Sequence, residues 1–219
     1  MRLSRLQLVL TVLVFSLLLA SPAFANSTTV QMQFVQATGS GIGGGGVYPY
    51  AFYINGSSTY TFLMCDSYDN TIQQGETWTG TVSPFLSGIA TSLFGPSMTL
   101  DYKAAGLIFK SMLAGNLTAT DANWAIWGLF SANARGMSQF GTTGGAGIDA
   151  TYLALATTAP NSAYSGLLLY TPVGGTQSWG GMPQEFIGYS PVPEPSSLML
   201  MGTGLIGLAG ALRRKFSKV

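Results

Sequence analysis

Apolar and polar residues alternate over residues 27–34 (Ser-Thr-Thr-Val-Gln-Met-Gln-Phe), and this period of two predicts a strand with one buried face. Residues 47–54 and 59–64 are the next strand candidates. The Asn55-Gly56-Ser57-Ser58 turn signal between them makes the pair a β-hairpin. Residues 75–82 (Gly-Glu-Thr-Trp-Thr-Gly-Thr-Val) give a further strand with Trp78 and Val82 on one face. Between the first two strands, residues 39–46 hold six glycines and predict a flexible loop. A phosphate cradle there would need a following lysine and an opening helix, and neither is present.

The period then changes. Over 99–113, Tyr102, Ala105, Phe109 and Met112 fall on one helical stripe, with Thr99 as candidate N-cap and Gly115-Asn116 as the stop. Residues 120–130 predict a second helix capped by Thr120 or Asp121, whose Trp124, Ile126, Trp127, Leu129 and Phe130 imply deep burial. A third helical segment runs from Asp149 to the stop at Pro160, and residues 167–171 and 184–189 read as returning strands. The expected fold is therefore α+β: one β-rich domain over 26–190 with helices near 99–114, 120–131 and 149–159.

The two ends read differently. Arg2 and Arg5, an apolar run over 8–19 and the small residues Ala23 and Ala25 form a secretory signal peptide over 1–25, placing the mature start at Asn26. At the other end, Val192-Pro193-Glu194-Pro195 precedes an uncharged run over 196–212 and the basic stop Arg213-Arg214-Lys215. Seventeen residues rise by about 25 Å as a helix, the short end of what crosses a bilayer. The expected layout is a domain between a signal peptide and a C-terminal transmembrane helix. Both sets of cations favour the cytoplasm, which puts residues 26–190 outside.

Removing those ends changes the charge picture. The whole chain carries +1, but the region between its two end signals holds Lys103, Lys110 and Arg135 against Asp66, Asp69, Glu76, Asp101, Asp121, Asp149 and Glu185, a net −4. Such a surface has no footprint for nucleic acid. With no histidine and a single cysteine, Cys65, the chain cannot use serine-histidine, cysteine-histidine or histidine-zinc chemistry, and it closes no internal disulfide. The acids Glu76, Asp101, Asp121, Asp149 and Glu185 show no spacing that pairs two of them for hydrolysis. Asp66, Asp69 and Asn70 offer oxygen ligands without a complete calcium loop, a pattern that favours a turn. No cofactor and no metal are expected.

The segment over 192–219 resembles the PEP-CTERM sorting signal of Gram-negative bacteria, with all parts in order. The resemblance implies export through the inner membrane, signal peptidase and an exosortase as processing partners, and transient anchoring by the C-terminal helix. Release to the cell surface or extracellular polymer would follow, with Val192, Pro193, Glu194 and Pro195 as residues read by the exosortase.

Met64-Cys65-Asp66, the strand after it and the helix Ala122-Asn123-Trp124-Ala125-Ile126-Trp127 resemble the thioester domains of bacterial surface adhesins. That family joins a cysteine to the glutamine of a Thr-Gln-x-Ala-Ile-Trp helix. Cys65 stands at the cysteine, but Ala122 replaces the threonine and Asn123 the glutamine, one methylene short of the sulfur.

Three readings follow. One is a non-catalytic envelope or matrix protein serving adhesion or exopolysaccharide association. The others are a covalent adhesin using Cys65 with Asn123 and a carbohydrate-binding module using Trp78, Trp179 and the tyrosines.

Overall fold

The computed structural model describes residues 27–40, 46–173 and 181–190, together with Gly204. The signal peptide and the membrane helix read from the sequence lie outside the described residues. Among the described residues no helix is long and apolar enough to cross a membrane.

Antiparallel strands close into a barrel. They are β1 (Thr28–Ser40), β2 (Gly46–Ile54), β3 (Thr61–Cys65), β4 (Thr77–Pro84), β5 (Leu167–Pro172) and β6 (Phe186–Tyr189), ordered β1-β2-β3-β6-β5-β4 around the wall. Long β1 makes closure possible: its first half pairs with β4, from Thr28↔Val82 to Gln33↔Thr77, and its second with β2, from Met32↔Ile54 to Ser40↔Gly46. A register shift between Phe34 and Gln36 bends β1 from one partner toward the other.

The hairpin predicted at residues 55–58 is present. Asn55 and Gly56 both have positive φ (52° and 71°), the Ser57 amide donates to the Ile54 carbonyl at 3.0 Å, and the two mirror-image turn positions fall on residue types that tolerate them. The glycine run is not wholly a loop, because Gly39 and Ser40 end β1 and Gly46 opens β2. Close backbone approach is the reason: a Cβ on Gly39 would lie 2.1 Å from the Tyr48 carbonyl oxygen, and one on Gly46 2.5 Å from the Ala37 Cβ.

Between β4 and β5 the chain builds the helical insert: α1 (Phe85–Gly88), α2 (Thr99–Leu113), α3 (Ala119–Phe130), α4 (Ala132–Gly136), α5 (Ser138–Thr142) and α6 (Gly145–Thr158). The three long helices match the three expected, with corrected ends. Thr99 is the first helical residue of α2 and follows a 3-10 turn over Pro96–Met98, whose Pro96 carbonyl accepts from the Thr99 hydroxyl at 2.6 Å. The cap of α3 is Thr118, whose Oγ1 accepts from the Asp121 amide at 3.1 Å, rather than Thr120 or Asp121. Helix α6 starts at Gly145 instead of Asp149, directly after Gly144 in the left-handed region. Helices α4 and α5 are too short to show a period and were not expected from the sequence.

Two cores result. Inside the barrel, Met32, Phe34, Phe52, Leu63, Trp78 and Phe186 pack with the indoles of Trp124 and Trp127. On the outer side of the same wall, Met64, Leu169 and Ile187 pack against Ile108, Phe109, Ile126 and Leu129 of the helices. Helix α3 lies in the seam between them, sending its tryptophans to one core and its aliphatic residues to the other. Strands β3, β5 and β6 are thus apolar on both faces, whereas β1 alternates, burying Val30, Met32 and Phe34 and exposing Gln31 and Gln33.

Candidate functional site

The fold brings Cys65 and Asn123 together. Cys65 ends β3 with its side chain in the barrel core, and Asn123 lies on the face of α3 that meets the wall; both are fully buried. The Asn123 carboxamide is tied at both ends to backbone: its Nδ2 donates to the Cys65 carbonyl at 3.0 Å, and its Oδ1 accepts from the Tyr48 amide at 2.9 Å. The sulfur has other partners. Trp127 Nε1 donates to Cys65 Sγ at 3.4 Å, and the thiol reaches the Ser67 carbonyl at 3.7 Å.

Burial first, and the Asp66 carboxyl second, push the Cys65 thiol up to about 12, against the lowering effect of the Trp127 and Ser67 contacts. A thiol this hard to ionise is a poor nucleophile. Asn123 pins β2, β3 and α3 together through backbone groups.

One residue further, the chemistry reverses. Asp66 is fully buried beside the Glu185 carboxyl, and neither Asp66 oxygen accepts a bond from a fixed donor among the described residues. Glu185 is well supplied: the Tyr102 hydroxyl donates to Oε1, while the Leu93 amide (2.9 Å) and the Thr171 hydroxyl (2.5 Å) donate to Oε2. Burial and the neighbouring Glu185 raise the Asp66 pKa well above the ordinary carboxylate range. Burial also raises Glu185, against the donors that favour its charge. Two adjacent buried carboxyls do not both ionise, and Asp66, with fewer donors favouring its charge than Glu185 has, is the one that keeps the proton. Sequence spacing paired no acids; the fold pairs Glu185 with Asp66 by setting β6 beside β3, Cys65 opposite Phe186.

The loop after Asp66 is a turn, as its composition suggested. Ser67 Oγ accepts from the Glu185 amide at 2.7 Å, and Gln184 Nε2 donates to the Asn70 carbonyl at 2.6 Å. Asn70 Nδ2 donates to the Pro183 carbonyl at 3.1 Å, and Asp69 Oδ1 accepts from Asn133 of α4 at 2.8 Å. These oxygens and amides are engaged by the protein itself.

Trp78, weighed as a sugar platform, lies 2 % exposed in the barrel core with its ring edge-on to Phe52, so it cannot stack on a ligand. Trp179 lies outside the described residues. The exposed rings are others: Tyr60, Phe62 and Tyr189. Their positions, Tyr60 just before β3, Phe62 in β3 and Tyr189 in β6, are beyond the reach of composition alone and decide which rings face solvent.

Val192, Pro193, Glu194, Pro195, Arg213, Arg214, Lys215, Ala23 and Ala25 also lie outside the described residues. For the tail, comparison with known families decides the matter. Residues 191–215 match the PEP-CTERM protein-sorting motif. The motif implies an exosortase as processing partner, export, and membrane-anchored sorting to the cell surface. No curated protein matches the chain. Among solved structures, the N-terminal thioester domain of a surface protein from Clostridium perfringens is similar at 13 % identity and a TM-score of 0.40, over 75 % of this chain and 100 % of that one.

Proposed function

We propose that the chain is a non-catalytic, exosortase-sorted envelope or matrix protein whose barrel domain acts by binding, in adhesion or in association with extracellular polymer. The match of residues 191–215 to the PEP-CTERM sorting motif carries this reading. Val192, Pro193, Glu194 and Pro195 are in it the residues read by the processing enzyme, Arg213, Arg214 and Lys215 the stop to transfer, and Ala23 with Ala25 the signal-peptidase site. The inert role given to Cys65 is supported by its raised pKa and by the two backbone bonds that hold the Asn123 carboxamide.

The intact mass of native protein, taken from the surface and medium of its producing strain, tests the proposal. Expected is a chain from Asn26 to a residue within 192–195, with or without an added group. A mass running to Val219 would make the tail a permanent anchor and overturn the sorting reading. A further loss of about 17 Da, abolished by Cys65→Ala, would overturn the inert thiol in favour of the covalent adhesin, since thioester formation expels ammonia.

A further inference from the structure

Four rings stand in a row on the outside of the barrel wall. Register places them there. Phe52 pairs with Thr61, so Tyr53 of β2 lies across from Tyr60, and Leu63 pairs with Gly188, so Phe62 lies across from Tyr189. Phe52 and Leu63 fill the barrel, which turns Tyr53, Phe62 and Tyr189 outward by strand alternation. The Tyr53 and Tyr60 rings are 5.1 Å apart, and the Tyr60 and Phe62 rings 6.2 Å. Tyr60, Phe62 and Tyr189 remain 47 %, 47 % and 45 % exposed. Large apolar rings held this open cost solvation free energy unless something covers them.

The row has a back wall. Tyr48 from β2 and Phe109 with Leu113 from α2 rise beside Phe62 and Tyr189 and enclose a cleft of about 340 Å³. None of the residues lining it carries a charge. Lys110 donates to the Ala163 and Ser165 carbonyls (2.9 and 3.2 Å), and its Nζ lies over the Tyr189 ring, 6.0 Å from its centre. The cleft thus combines flat apolar faces with hydroxyls from Tyr48, Tyr60, Thr61 and Tyr189, and no side chain in its lining is charged.

We infer that this cleft binds an uncharged polysaccharide chain. A pyranose has the matching chemistry: its axial C–H face lies on an aromatic ring, and its equatorial hydroxyls reach phenol and threonine oxygens at the ring edges. With ring centres 5.1 and 6.2 Å apart, the row is continuous from Tyr53 to Phe62, an extended apolar strip that suits a chain of sugars better than a single one. An acidic polymer would meet no cation inside the cleft, and repulsion from the acidic domain would oppose it. The site lies one residue from the end of the described domain, because Tyr189 precedes Ser190 and the sorting motif starts at residue 191. The inference deepens the surface-binding role proposed above by assigning its partner and site, and it rests on that reading only for the compartment in which the polymer is met.

Affinity electrophoresis of the full-length chain in mild detergent tests it. The gels carry hydroxyethylcellulose, galactomannan, xylan or dextran as neutral probes, and alginate as the anionic one. At least one neutral polymer is expected to retard the wild type. The double variant Tyr60→Ala/Phe62→Ala should bind that polymer at least tenfold more weakly with its melting temperature retained, while Leu155→Ala, an equally exposed residue on α6, behaves as wild type. If the double variant melts early, Tyr189→Ala replaces it with the same expectation. Retardation by alginate alone, equal retardation of wild type and variant, or no retardation by any neutral polymer overturns the assignment. In the last case, a wild-type dimer that the variant lacks in ultracentrifugation would give the cleft to a second copy of the chain. The sorting reading stands or falls separately, on the C-terminal mass.

Discussion

Cys65 and Asp66 are neighbours in sequence, equally buried, and opposite in chemistry. Cys65 looks into the barrel, where an indole N–H and aromatic rings surround a thiol that stays protonated. Asp66 looks toward Glu185, in a pocket of hydroxyls and amides supplied by α2, β5 and the Leu93 segment. On the first side, only weak sulfur contacts were there to be made, and almost nothing is at stake electrostatically. On the second, several donors converge on one carboxylate, so the folded state depends on keeping every partner. The side with the recognisable motif thus carries only weak contacts, and the side with no motif carries the dense polar network.

The sharpest way to break this contrast is Glu185→Ala. It would strand the Tyr102 and Thr171 hydroxyls and the Leu93 amide in the interior, and a loss of about 3–5 kcal/mol in denaturant unfolding is expected. A loss below about 1 kcal/mol would show that the network is incidental.

Asp66→Asn sharpens the contrast through pH. Both carboxyls have folded pKa values raised above their unfolded values, so between about pH 4 and the higher folded values the native state binds more protons than the unfolded one. Their contribution is full below pH 4 and lost as pH rises. Wild-type melting temperature should therefore decline from pH 5 to pH 8, and Asp66→Asn, which keeps a donor toward Glu185 without an ionisable proton, should reduce that decline to the part left by Glu185 and by Asp149, which burial raises to about 7. An unchanged slope would remove Asp66 from the account.

Smallest is Cys65→Ala, which leaves the Trp127 N–H without its acceptor and opens a sulfur-sized gap, for about 1–2 kcal/mol. In the wild type, a thiol reagent should find no reactive cysteine in the native protein and one per chain in denaturant. Native labelling at the rate of an exposed thiol would contradict the buried, protonated sulfur.

Strands and long helices were legible because their burial follows simple periods. Val30, Met32 and Phe34 alternate as one face of the wall, and Tyr102, Ala105, Phe109 and Met112 form one helical stripe. The α3 cap, two or three residues before the ones expected, lies where Thr118, Thr120 and Asp121 all offer an oxygen, and only the geometry of the turn selects Thr118. The pairing of Asp66 with Glu185 was illegible for a topological reason: β6 inserts between β3 and β5, and no local pattern announces which distant strand will lie alongside. Cys65 and Asn123 could be brought together on paper through a motif, but the backbone bonds that hold the carboxamide depend on where Tyr48 falls after the glycine run. The aromatic row was hidden likewise: composition counts tyrosines and register orients them.

That strand order also governs when the barrel can close. Strand β6 completes the middle of the wall, between two strands made long before it, so the barrel cannot close until residue 189 is available to pair. A chain stalled or clipped before that point presents β3 and β5 as two open edges, the form most prone to aggregate or be degraded. Closure of the barrel therefore waits on the residues that lie next to the sorting motif.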